Sequence, residues 1–133
     1  MSELERIFKG LADGNRLRIL NLLLHGELCV CEIQHVLESP QPNVSRHLTY
    51  LKNSGLVLDR REGFRVYYRL SEVCQGEARL LFDFLRQICR RDDALRADVE
   101  KLKHAIRHGD CTVSAFRPYS ALRGEKTTPH ADR

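Results

Sequence analysis

Cys29-Val30-Cys31-Glu32-Ile33, then Ser39-Pro40-Gln41-Pro42-Asn43-Val44-Ser45-Arg46-His47-Leu48, then Arg60-Arg61-Glu62-Gly63-Phe64-Arg65-Val66-Tyr67-Tyr68-Arg69-Leu70 decide the fold of this chain. Val30, Ile33, Val36 and Leu37 mark a short helix. Ser39 caps the next one, with Pro40 at its first position, where no amide donor is needed. On that second helix Val44, Leu48 and Leu51, with Tyr50 as a further candidate, form the inner stripe. Ser45, Arg46, Thr49 and Lys52 lie outside it, and Gly55 ends it. Two short helices joined by a tight turn, the second polar on its outward face, have the pattern of a helix-turn-helix, although a plain helical hairpin has the same spacing.

The segments 56–61 and 64–70 read as strands, with Glu62-Gly63 as a two-residue turn. Alternation puts Arg65, Tyr67 and Arg69 on one face of the second strand and Val66, Tyr68 and Leu70 on the other. One side can pack on the domain while the other presents cations. A lone hairpin needs such packing to be stable.

Working outward, Ser2 and Glu5 form a capping box for a first helix with Leu4, Ile7, Phe8 and Leu11 on one side. Asp13-Gly14-Asn15 breaks it and offers a new N-cap. Leu17, Ile19, Leu20, Leu22, Leu23 and Leu24 make a second, strongly apolar helix, stopped by Gly26. Downstream, one long helix is expected from about residue 72 or 74 to about 106, striped by Leu80, Leu81, Phe84, Leu85, Ile88, Leu95, Val99 and Leu102. Such length exceeds what a small monomer needs, so Phe84, Leu85 and Ile88 are expected to face a second copy. Residues 1–107 are read as one domain and 108–133 as a mobile tail, since Pro118, Gly124 and Pro129 there accompany few clustered hydrophobes.

The 133 residues suit one domain with a core. No apolar run approaches the ~18 residues of a membrane span, and no secretory pattern opens the chain, so a cytoplasmic location is expected. Five cysteines without a regular framework point to ligands, redox groups or small buried hydrophobes rather than structural disulfides. The net charge is +4. Between Gln41 and Leu70, Arg46, Lys52, Arg60, Arg61, Arg65 and Arg69 face only Asp59 and Glu62, so that segment is either a solvated basic face or a phosphate-binding footprint. The chain has no Gly-rich phosphate loop, nucleophile elbow or zinc-protease pattern. Cys29 with His25 or His35 imitates a nucleophile and base, but no orienting third group is evident, and an enzyme is not expected.

The order of elements and the local wording resemble the arsenical-resistance repressor (ArsR/SmtB) family of winged-helix metal-sensing repressors, from about Leu4 to about Leu85. The residues that carry the likeness are Leu11-Ala12-Asp13 with Arg16-Leu17, Glu27-Leu28-Cys29-Val30-Cys31, Gln41 to Leu48 with Leu51, Gly55-Leu56-Val57, Arg60 to Gly63 and Val66 to Leu70. The resemblance implies a mainly α, winged helix-turn-helix fold with a small β-hairpin, dimerising through its first and last helices. It also implies binding to double-stranded operator DNA, with no cofactor required, and release by an inducer. Glu-Leu-Cys-Val-Cys followed by a further Cys is the wording of members that respond to As(III) or Sb(III). Cys29 and Cys31 match the first two ligands, whereas Gln34 stands in the third position.

Cys29 and Cys31 fall at a helix entry, where free amides and the dipole favour thiolate. Soft trivalent arsenic or antimony prefers such sulfur. Within an ordinary helix a Cys-x-Cys pair points its sulfurs apart, so joint binding requires the first turn to be open or to open. The alternatives are two small buried hydrophobes, an oxidisable thiol pair, or a site for cadmium or lead. Cys111 in the tail is a candidate third sulfur. Cys74 and Cys89 read as core or interface residues, and Leu85 and Ile88 stand where zinc-sensing relatives carry ligands. His104, His108, Asp110 and Cys111 form a loose polar cluster at a helix end. For DNA, Gln41, Asn43, Ser45, Arg46 and His47 are candidates for base edges or phosphates, Lys52 for phosphate, and Arg60, Arg61, Arg65 and Tyr67 for contacts from the wing.

Overall fold

The computed structural model describes residues 2–71 and 77–108. Ser2 caps α1 (Glu3–Leu11) by accepting the Glu5 amide at 3.2 Å. Asp13 caps α2 (Gly14–Leu23), its carboxylate accepting the amides of Asn15 and Arg16 at 2.9 and 3.1 Å. α2 is the centre of the core: Ile19, Leu20, Leu22 and Leu23 are fully buried. Each such side chain contributes roughly 1.5–3 kcal/mol over an exposed one. Leu24 is the C-cap, and Gly26 follows two residues beyond rather than as the stop itself.

The chain then forms a two-residue strand, β1 (Leu28–Cys29), and passes directly into α3 (Val30–Leu37). α4 (Gln41–Asn53) follows after a turn in which Glu38 takes a left-handed φ of +51°. Its N-cap is Pro40 with no side-chain cap bond, and Pro42 stands in its first turn, so Ser39 lies one residue short of the capping role expected for it. Val44, Leu48 and Leu51 are fully buried, whereas Tyr50 points outward, 40% exposed.

β2 (Val57–Glu62) and β3 (Arg65–Leu70) pair antiparallel with Glu62 opposite Arg65. The two-residue turn is therefore Gly63-Phe64, one residue later than expected. Gly63 supplies the positive φ (+62°) that a tight hairpin needs at its first central position. β1 adds on the other side of β3, Leu28 opposite Tyr68 and Cys29 opposite Tyr67, which gives a three-stranded sheet in the order β1-β3-β2. Leu28, Val57, Tyr68 and Leu70 belong to the main core, while Cys29 and Tyr67 form a separate small cluster with Cys31.

The expected single long helix is two: α5 (Glu77–Cys89) and α6 (Asp93–His108). The amides of Arg91 and Asp92 close α5 on the carbonyls of Ile88 and Cys89. The Asp92 carboxylate then accepts the Leu95 amide at 3.0 Å and starts a new helix. α6 turns back over the helix-turn-helix. Arg18 donates two bonds to Asp98 (2.8 and 3.0 Å), and Asn21 donates to the Leu95 carbonyl (3.0 Å). Lys101 pairs with Glu38 at 2.8 Å and donates to the Val36 carbonyl at 3.3 Å. α5 shows the opposite behaviour. Leu85 faces its own core, 5% exposed, while Leu80, Phe84 and Ile88 form an exposed stripe on successive turns; Leu4 and Phe8 of α1 are exposed as well. No helix among the described residues is long and apolar enough to cross a membrane.

Candidate nucleic-acid interface and thiol site

α3 and α4 are held at a fixed angle by the buried side chains between them, so α4 presents one face to solvent. A shallow groove lined by Pro42, Ser45, Arg46, Thr49, Tyr50 and Asn53 runs along it. Of the residues read from the sequence, Gln41, Arg46 and Lys52 are exposed, and Asn43, Ser45 and His47 half-buried. Arg46 donates to the Asn43 side chain, and Lys52 pairs with Asp59 at 3.0 Å. His47 Nδ1 lies 3.9 Å from the Asp13 carboxylate. That carboxyl is held below its ordinary pKa chiefly by the Arg16 amide, with His47 and Arg16 adding to the effect. Thr49, read from the sequence as outward, is joined on this face by Tyr50, a candidate for the inner stripe, and by Asn53, which had no assignment. Their spacing from Arg46, on the next turn and the one after, was the available signal. Tyr50 is also the platform for Arg16, whose guanidinium lies 4.0 Å over the ring and donates to the Gly10 and Lys9 carbonyls, tying α1 to α4.

Arg61 is exposed on the wing and Arg65 half-buried. Two of the residues expected to touch DNA, Tyr67 and Arg60, are engaged with the sheet and its buried acid. Tyr67 is 5% exposed and packs against Cys29, its partner across β1 and β3, so its ring is part of the thiol corner. Arg60 spans that ring at 4.5 Å and donates from Nε (2.9 Å) and Nη2 (2.5 Å) to one oxygen of Glu27, with a further bond to Glu62 at 2.6 Å. Its guanidinium is held above its usual pKa first by Glu27 and then by Glu62. Tyr67 is buried in the sheet, whereas Arg60 keeps 33% of its side chain exposed and is occupied by Glu27 and Glu62.

Glu27, part of the Glu27-Leu28-Cys29-Val30-Cys31 motif, has a role that its place in the motif does not reveal. It is fully buried, and its second oxygen, Oε2, has no hydrogen-bond partner among the described residues. A carboxylate two positions before Cys29 in extended chain shares the Cys29 face, and this alternation was the sign of it.

Cys29 has extended backbone (φ −84°, ψ 162°) and is the N-cap of α3, while Cys31 lies in the first turn. The two sulfurs therefore converge into disulfide contact, with Cα atoms 5.4 Å apart. The open first turn that joint binding requires is already built in. The buried Glu32 carboxylate accepts the Cys29 amide at 3.0 Å and fixes this entry. Cys29 is 2% exposed, and Cys31 forms the accessible edge of the pair. Gln34, one turn further along α3, is half-buried. Cys89 is buried in the core, which pushes its thiol pKa up and makes it a poor ligand. Cys74 lies outside the described residues, as do Asp110 and Cys111 of the cluster at the end of α6. His104 and His108 are exposed and stack on each other, 4.0 Å between ring centroids.

A helix-turn-helix followed by a paired β-wing defines a winged-helix DNA-binding regulator. The model for the arsR family of bacterial regulatory proteins matches residues 13–58. The arsenical resistance operon repressor of Escherichia coli is 41% identical over 104 residues, 77% of this chain and 81% of that protein. An arsenic resistance transcriptional regulator of Pseudomonas putida is 54% identical over 65 residues, and the match spans 48% of this chain and about half (51%) of that relative. A CadC homologue of Staphylococcus aureus, named as a cadmium resistance regulator, is 42% identical over 53% of this chain and 59% of its own. Among solved structures, HlyU from Vibrio cholerae superposes with a TM-score of 0.58 at 35% identity, covering 65% of this chain and 90% of HlyU. The homodimeric winged helix-turn-helix DNA-binding domain of a possible ArsR-family regulator from Mycobacterium bovis gives 0.56 at 40% identity, covering 66% and 79%. The chain belongs to the ArsR family of DNA-binding transcriptional regulators, which are not enzymes.

Proposed function

We propose that this chain is a transcriptional repressor that binds operator DNA as a homodimer and is released when trivalent arsenic or antimony takes the thiolates of Cys29 and Cys31. The observation that carries this reading is the convergence of the two sulfurs at the N-cap of α3, the first helix of the helix-turn-helix. An ion that bridges them sits where β1 becomes α3, and any change in sulfur spacing acts on the DNA-reading pair. Arsenical-resistance repressors among the relatives favour the same inducer class.

In the complex, α4 enters the major groove with Gln41, Ser45, Arg46, Thr49 and Asn53 toward base edges and phosphates, and Arg61 and Arg65 of the wing meet the backbone. The dimer seam is formed by Leu4 and Phe8 of α1 with Leu80, Phe84 and Ile88 of α5. Phe84→Glu is therefore the dimer test: sedimentation reads monomer and operator binding collapses, whereas Leu85→Glu unfolds the subunit. Two sulfurs are the donors this corner supplies, and water, a small thiol or Cys111 fills the third place.

The decisive experiment titrates arsenite into a protein–operator complex and follows release. Wild type releases with ~5–150-fold loss of DNA affinity, the usual range for coupled sites. Cys29→Ser and Cys31→Ser each keep operator binding and lose release. Release that survives the double replacement defeats the proposal. The sulfur contact also favours a second reading, in which oxidation to a Cys29–Cys31 disulfide is the switch; a two-proton mass loss without an arsenic adduct, accompanied by DNA release, selects it.

A further inference from the structure

We infer that Arg60 is the positioning residue that transmits the state of the thiol pair to the wing, and that it is not a phosphate contact. The inference rests on the thiol-sensing reading above and deepens it. Three observations converge. First, Cys29, Tyr67 and Arg60 stand in one row across the sheet, Cys29 opposite Tyr67 and Tyr67 opposite Arg60, so their side chains rise from the same face. Second, Arg60 caps the Tyr67 ring at 4.5 Å and reaches past it to Glu27, which lies two residues before Cys29 on the same strand face. Glu27, Cys29, Tyr67 and Arg60 thus close a ring that begins and ends beside the thiols. Third, Arg60 satisfies one oxygen of Glu27 twice, and the other has no partner among the described residues.

A buried carboxylate served on one oxygen only keeps acceptor sites open on the other, so the Arg60 donors can shift between the two oxygens while the pair stays intact. Arg60 also holds Glu62, the last residue of β2 before the wing turn. A guanidinium that divides its donors between the thiol corner and the wing tip is placed to couple them. When the sulfurs move apart to hold an ion, the Tyr67 ring must shift, since Cys29 and Cys31 pack on it. Arg60 rides on that ring and carries Glu62 and the end of β2 with it. An exposed phosphate-binding arginine has no need of a buried acid or an aromatic platform; this one has both.

The test separates DNA affinity, arsenite binding and release in the full-length protein. The double variant Arg60→Met/Glu27→Gln removes both charges at once and keeps the side-chain volumes. It is expected to bind operator within about threefold of wild type, with the salt dependence unchanged, and to bind arsenite normally by its thiolate–arsenic absorbance. Release by arsenite is expected to shrink to about twofold or less, from the ~5–150-fold typical of coupled sites. Tyr67→Leu, which leaves Arg60 and Glu27 in place, is expected to uncouple in the same way. A salt slope reduced by about one with release intact makes Arg60 a phosphate contact and overturns the inference. So does normal release in the double variant, or lost arsenite binding in both variants. Release that persists in Cys29→Ser/Cys31→Ser counts against the sensing reading itself, a different result from any of these.

Discussion

The thiol corner and the recognition face contain the same kinds of side chain in opposite settings. In the corner, Arg60 meets a carboxylate with no exposure at all. On the face, Lys52 meets Asp59 with half of the lysine side chain in water. A buried pair cannot lose one member without stranding the other, whereas an exposed pair exchanges one partner for solvent at little cost. The comparison teaches that cations with internal partners belong to the scaffold, and cations on loose surface pairs are the ones available to a phosphate.

Arg60→Ala is expected to break the corner most severely. It leaves the Glu27 charge buried and unpaired, at about 3–5 kcal/mol, read as a fall in the urea midpoint. Arg46→Ala sharpens the contrast from the other side: thermal stability stays within about 0.5 kcal/mol of wild type, while operator affinity falls by about 1–3 kcal/mol in a binding titration. Asp13 belongs to neither region, capping α2 while facing His47 of α4. Asp13→Ala is expected to cost about 1 kcal/mol. Its carboxyl pKa is lowered on folding, so its contribution is present above the unfolded value of about 4 and lost as pH falls below it. Asp13→Asn keeps the cap and should abolish that acid-side loss in a pH series. The smallest effect is Asp59→Asn, under about 0.5 kcal/mol of stability, with slightly tighter operator binding once Lys52 is freed.

Much of this was legible from spacing. Leu48 and Leu51 inside, Arg46 outside, and the wing strands follow from periods of 3.6 and 2. The break between α5 and α6 escaped because the apolar stripe continues in register through Cys89 and Leu95, and only the local capping by Asp92 ends the helix. Tyr50 and Leu85 were misplaced because a wide stripe does not say where its edge falls. Phe84 and Leu85 are neighbours in sequence, yet one faces solvent and the other the core. Tyr67 and Arg60 escaped for a different reason. Alternation groups Tyr67 with Arg65 and Arg69 but gives no cross-strand partner to Arg60, and it shows two strands where the sheet has three. The short β1 strand, two residues with no periodicity to detect, pairs with the other edge of β3 and sets Cys29 beside Tyr67 on that face.

β1 is so short that Cys29 both ends the sheet and begins a helix, with no linker between them. Linkers absorb motion, and where none exists stiffness takes over. A shift of an ångström at this residue is not damped in a loop; it swings α3 as a lever arm. Only the turn 38–40 separates α3 from α4, and Glu38 there already holds a conformation that L-residues resist. The chain has placed its softest chemistry at its least compliant joint.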